Sequence, residues 1–133
     1  METKLEFVNP PECGPHLGFS HGVKAQCNNI LFVAGQVGWN EQGKIVSSDV
    51  VEQFDRALSN LLAVVRKAGG GPENVVRLVI YTVDKAEYWA KLKEIGAVYR
   101  RRMGKHYPAM ILVEIKGLAE EGSKLELEAT AVL

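Results

Sequence analysis

Two acidic residues in Lys124-Leu125-Glu126-Leu127-Glu128-Ala129-Thr130-Ala131-Val132 combine side-chain type and spacing in a way that suggests chemistry. Polar and apolar residues alternate there at a period of two. Glu126 and Glu128 therefore project from one side of a strand, and Leu125, Leu127 and Ala129 from the other. A carboxylate held on a strand can take a proton from water or return one to a bound molecule. A strand glutamate that merely faces solvent is the ordinary alternative when the strand is read alone.

The elements that must position such a carboxylate begin next to it. Ala109-Met110-Ile111-Leu112-Val113-Glu114-Ile115 is apolar at every position except Glu114, so both faces of that strand require cover. Tyr107 to Leu133 then reads as two strands facing each other across a turn, with a carboxylate beside an apolar partner. Upstream, Lys4 to Val8 predicts a first strand, and the prolines of Asn9-Pro10-Pro11-Glu12-Cys13-Gly14-Pro15 force a loop. Phe19 to Gln26 and Ile30 to Val37 predict two strands joined as a hairpin at Cys27-Asn28-Asn29. Gly35 and Gly38, at the end of the second, allow close approach of backbone to another group.

Asp49, with Glu52 three residues on, predicts a capped helix running to about Ala68. Its stripe of Val50, Phe54, Ala57, Leu58, Leu61, Leu62, Val65 and Ala68 faces a core. Gly69-Gly70-Gly71-Pro72 stops it; the run lacks the lysine and hydroxyl residue of a phosphate loop. Val75 to Val83 is a long strand, apolar on both sides but for Arg77. Asp84 and Glu87 cap a second helix with Ala86, Trp89, Leu92, Ile95, Tyr99 and Met103 as its packing stripe. The basic cluster Arg100-Arg101-Arg102 at its end complements the helix dipole.

The whole describes one α+β domain over residues 1–133: a six-stranded mixed sheet with two helices on one face. Helices on one face leave the other wet, although three strands are apolar on both sides. Burying that face at ~25 cal/mol per Å2 over several hundred Å2 is worth on the order of 10 kcal/mol before association costs. A closed homo-oligomer is the expected solution.

Composition sets further bounds. Sixteen basic and sixteen acidic residues cancel, so no overall field gathers nucleic acid. Met1-Glu2-Thr3-Lys4 lacks the pattern of a signal peptide, no apolar run reaches a membrane span of ~18 residues, and a cytoplasmic location is expected. Cys13 and Cys27 match neither a zinc spacing nor a redox pair; no metal and no cofactor is expected.

Several segments together carry a resemblance: Gly14-Pro15, Phe19-Ser20-His21-Gly22-Val23, Phe32-Val33-Ala34-Gly35-Gln36-Val37, Tyr107-Pro108-Ala109 and Leu125-Glu126-Leu127-Glu128-Ala129-Thr130-Ala131. In order and spacing they resemble the Rid, or YjgF-like, family of reactive-intermediate deaminases over nearly the whole chain. The resemblance implies a chorismate-mutase-like fold and a homotrimer with clefts between neighbouring subunits. It further implies that Glu128 positions water as the catalytic residue, and that Ala34, Gly35 and Gln36 offer backbone groups to a small-molecule substrate. Members of the family carry an arginine after the Pro-Ala of the fifth strand, where this chain has Met110; an asparagine is common where Gly96 stands, and a tyrosine where Phe19 stands. The chain resembles the arginine-lacking branches.

Methionine offers no donor, so a carboxylate cannot be held in a two-bond fork at position 110, and Met110 becomes an apolar pocket wall. Leu112 contributes at the same strand, and Phe19 either packs or covers the ligand. Glu126 and Glu114 read as rim or ion-pair residues, and His21 and His106 as hydrogen-bonded structural groups. The function implied is hydrolytic deamination of an enamine or imine, an aminomuconate-type intermediate being one option. The alternatives are a metabolite-binding trimer without catalysis and, with less support, RNA cleavage.

Overall fold

The computed structural model describes residues 2–133. The chain runs β1 (Lys4–Val8), β2 (Gly22–Gln26), β3 (Ile30–Gln36), α1 (Val50–Lys67), β4 (Val75–Thr82), α2 (Lys85–Ala90), α3 (Leu92–Met103), β5 (Ala109–Glu114) and β6 (Leu125–Val132). The α+β layout and the six strands are those expected. Their partnership is not.

Four strands form one sheet in the order β3-β6-β4-β5, and β1 pairs with β2 in a separate two-stranded sheet. The expected single six-stranded sheet is thus divided. A bridge from Ser20, just before β2, to Ala109 ties the two parts, where Ser20 N donates to Pro108 O and its Oγ donates to Tyr107 O at 2.7 Å. Nor do β5 and β6 face each other: β4 lies between them, parallel to β5 and antiparallel to β6. The reason is burial. β4 is apolar along most of its length and gains most from a central place, and the helical crossover that a parallel pair needs is supplied by α2 and α3.

The expected β2–β3 hairpin does not form either, because β2 pairs with β1 and β3 with β6. Between them Asn28 N and Asn29 N donate to Leu133 O, and Leu133 N returns a bond to Asn29 O. Cys27-Asn28-Asn29 is a corner tied to the C-terminus.

Asp49 caps α1 as its position requires, accepting from Val51 N at 2.7 Å and Glu52 N at 3.4 Å. The helix buries Val50, Phe54, Ala57, Leu58, Leu61, Leu62 and Val65 against Val33, Leu78, Ile80, Leu125, Leu127, Ala129 and Ala131 of the sheet. Gln53 is fully buried on the same face, with its amide donating to Ser47 O and Gly122 O and accepting from Lys124 N. Gly38 lies so near that a Cβ would stand 2.7 Å from the Gln53 Cα, so glycine lets the chain after β3 lie flush on α1.

The second helical segment is interrupted at Lys91, whose φ of −107° and ψ of 15° end α2 and start α3. The break resets the helical phase. Tyr88, Ile95, Val98, Tyr99 and Met103 are buried, whereas Ala86, Trp89 and Leu92, counted in the expected stripe, are exposed.

Burial of Tyr88 pushes its phenol up to about 12 from the ordinary 10. A raised pKa means that the fold favours the neutral form. Its contribution is complete below pH 10 and disappears as pH climbs through about 12. Urea denaturation should therefore show stability falling by roughly 2–3 kcal/mol over that interval from this group, and Tyr88→Phe should flatten part of the fall.

No helix among the described residues is long and apolar enough to cross a membrane.

Candidate functional site

The sheet has a helix-covered face and an open face, and the register says which residues occupy each. Glu128 lies opposite Val79 of β4 and Glu126 opposite Tyr81, so these side chains share the open face. Tyr81 Oη donates to Glu128 Oε1 at 2.5 Å. This bond to a carboxylate, reinforced by burial and by the charge itself, holds the Tyr81 phenol above its usual range. Tyr81 thereby fixes the orientation of Glu128.

Beside them β3 changes register against β6 between Val33 and Gln36, an irregularity that re-aims backbone groups. Gly35 sits in it, and a Cβ there would overlap the Glu126 carboxylate. The absence of a side chain lets Glu126 lie directly against the backbone. Gln36 Nε2 donates to Ala34 O at 3.2 Å, steadying the same segment. Ala34, Gly35, Gln36, Glu126, Glu128 and Tyr81 thus form one neighbourhood of backbone polar groups and two carboxylates.

The other expected residues gather elsewhere. β5 turns Met110 and Leu112 toward the helix layer, where both pack against the core. With Phe19, Tyr99 and Tyr107 they line a cleft of about 630 Å3 between β5, α3 and the loop before Ser20. Tyr99 stacks on Tyr107 with ring centroids 5.6 Å apart, and its hydroxyl donates to His106 O at 2.6 Å, which keeps the wall rigid. Phe19, Met110 and Leu112 therefore meet one another, but within one chain they do not meet Glu128. The two groups belong to opposite faces because of the register: Met110 and Leu112 lie level with Leu78 and Ile80 of β4, which pair with Ala129 and Leu127, whereas Glu128 lies level with Val79.

His106 Nε2 bonds to Val75 O at 2.6 Å, and His21 Nε2 to Gly14 O at 3.1 Å. A carbonyl only accepts, so both nitrogens carry hydrogen, and both rings hold loops in place. Glu114 accepts from Lys85 N at the start of α2. Among the described residues no group of three or more His, Cys, Asp or Glu could hold a metal ion. Tyr81, the proximity of Glu126 to Gly35, and Arg100 on the cleft wall escape sequence reasoning, because each depends on register or on how a long side chain folds back.

Comparison with known proteins matches residues 11–133 to the family model described as endoribonuclease L-PSP. The chain is 34% identical over 123 residues to a RutC family protein of Pyrococcus abyssi (strain GE5 / Orsay), covering 92% of this chain and 89% of that protein. It is 29% identical over 124 residues to the 2-iminobutanoate/2-iminopropanoate deaminase of Mus musculus, covering 92% and 84%. Among solved structures, a conserved Rid-family protein from Yersinia pestis superposes with a TM-score of 0.87 at 34% identity, covering 97% of this chain and 98% of that one.

Proposed function

From the membership of this chain in the endoribonuclease L-PSP family, which includes the RutC and Rid proteins, we propose that it hydrolyses a reactive enamine or imine to a carbonyl compound and ammonia. It does so in clefts between the subunits of a chorismate-mutase-like homotrimer. The observation that carries this reading is the separation of the two halves of the site. Phe19, Met110 and Leu112 line a cleft at one edge of the sheet, while Glu128 and Gly35 lie on its open face. They complete one another when the cleft of one copy meets the open face of the next.

The open face also favours such a contact. Phe32 is 78% exposed and Ile30 59% on β3, and Ile111 is 49% exposed on β5, so apolar rims flank the carboxylates. In the composite site the Glu128 carboxylate takes a proton from water as the oxygen attacks the C=N carbon. The proton passes to nitrogen, the carboxylate then moves the hydroxyl proton of the tetrahedral adduct to its amino group, and the C–N bond breaks as the carbonyl forms and ammonia leaves. Backbone N–H groups near Gly35 and Leu112 stabilise developing charge. Such substrates are reactive already, so two carboxylates and fixed backbone dipoles suffice without a metal or cofactor. The deaminase name borne by the mouse relative favours the same reaction.

The direct test is ammonia release from freshly generated 2-aminoacrylate, 2-iminobutanoate and 2-aminomuconate. Release well above the spontaneous rate for at least one is expected. Binding of these compounds without acceleration of any would replace the reaction with a metabolite-binding role. RNA cleavage has less behind it: the net charge is zero, and on the open face the one arginine of β4, Arg77, is outnumbered by the carboxylates of Glu126 and Glu128.

A further inference from the structure

Three consecutive arginines end α3, and they do not behave alike. Arg101 and Arg102 both pair with Asp55 of α1, at 3.1 and 2.5 Å. Arg100 joins no such pair and instead lines the cleft that contains Phe19, Met110, Tyr99 and Tyr107. Its guanidinium folds back along the helix over Gly96, where an added Cβ would stand 3.3 Å from Nη1. A larger residue at 96 would occupy the space that the guanidinium and a ligand share. No acidic side chain lines this cleft. A fork of N–H donors on an exposed side chain thus stands at the edge of an otherwise apolar and aromatic cavity, with no ion pair to it among the described residues.

We propose that Arg100 is the anion-binding residue of this cleft, and that it selects carboxylates carrying a bulky apolar or aromatic body. Met110 removes the donor from the strand side of the cavity, and Arg100 supplies one from the helix side. The cavity of about 630 Å3 is far larger than a three- or four-carbon acid requires and lies within the range of sites for drug-sized ligands. Phe19 and the stacked Tyr99–Tyr107 pair offer flat apolar surface for the body, while the planar guanidinium matches a carboxylate with two parallel hydrogen bonds. The inference rests on the deaminase reading for its substrate class, an imine or enamine of an amino acid with a large apolar side chain.

Phenylacetate and the uncharged phenylacetamide serve as probes, titrated calorimetrically at low salt into the assembled protein. Wild type is expected to bind phenylacetate at least about tenfold more tightly than the amide, as a charge-assisted fork implies. Arg100→Ala should remove that preference, Arg100→Lys should keep part of it, and Arg101→Ala should keep all of it. Equal binding of phenylacetate by wild type and Arg100→Ala, or no preference for the acid in wild type, overturns the proposal. Neither probe contains a C=N bond, so this result is independent of turnover. Failure to release ammonia would remove the reaction but not the anion site, and loss of the preference would do the reverse.

Discussion

Glu128→Ala should bring ammonia release down by roughly 10²–10⁴-fold, the range over which a positioned acid–base group acts, with the protein still folded. Glu128 is half-buried on the open face and takes no part in the main core, so its removal should move thermal unfolding little. Tyr81→Phe should produce a smaller loss, on the order of tenfold, because it deletes the bond that aims the carboxylate while leaving the carboxylate itself. Glu126→Gln separates the two acids: Glu126 lies against Gly35 and Glu128 against Tyr81, so the variant with the steeper loss in kcat identifies the base. The pH profile offers an independent check. The Tyr81 phenol is held above its usual range, chiefly by its bond to Glu128, so it remains a donor beyond pH 10. The alkaline fall in rate assigned to it should therefore begin above that of a free tyrosine and vanish in Tyr81→Phe. Full activity in both Glu128→Ala and Glu126→Gln would remove carboxylate chemistry from this face.

The carboxylates could be anticipated because strand alternation is local: Leu125, Leu127 and Ala129 are buried and Glu126 and Glu128 are not, as the period-two pattern requires. The same locality made α1 legible, with its Asp49 cap and its apolar stripe. What local pattern cannot convey is partnership. Cys27-Asn28-Asn29 signals that the chain changes direction, and it does, but its backbone groups meet Leu133, a choice made by the far end of the molecule. The insertion of β4 between β5 and β6 is likewise set by which strand gains most from two neighbours, and the register on its two sides, with Leu78 opposite both Met110 and Ala129 and Val79 opposite Glu128, puts Met110 and Glu128 on opposite faces. The break at Lys91 has neither glycine nor proline to announce it. Arg100 read as one of three equivalent cations until Asp55 claimed the other two.

Phe32→Glu should dissociate the proposed trimer and abolish ammonia release although Phe32 supplies no reacting or binding group to either half of the site. At 78% exposure in the single chain, Phe32 contributes little to the protomer's own stability, so circular dichroism should remain that of the folded chain. In the proposed trimer its burial would be worth ~2–3 kcal/mol per seam, and a carboxylate buried unpaired in its place would cost at least about as much again. Repeated at three seams, this exceeds what a modest interface can absorb. Sedimentation should change from a trimer to a single chain. A trimer unchanged by the substitution would mean that the open face is not the interface. A mixing experiment then tests the division of the site itself. Glu128→Ala lacks the acid, and Gly96→Phe fills the cleft, so each should be inactive alone. Random exchange at equal concentration makes about three quarters of trimers mixed, each with one seam that joins an intact acid to an intact cleft, and restores about a quarter of wild-type activity. A site contained within one chain would restore none, because every copy in the mixture carries a defect of its own.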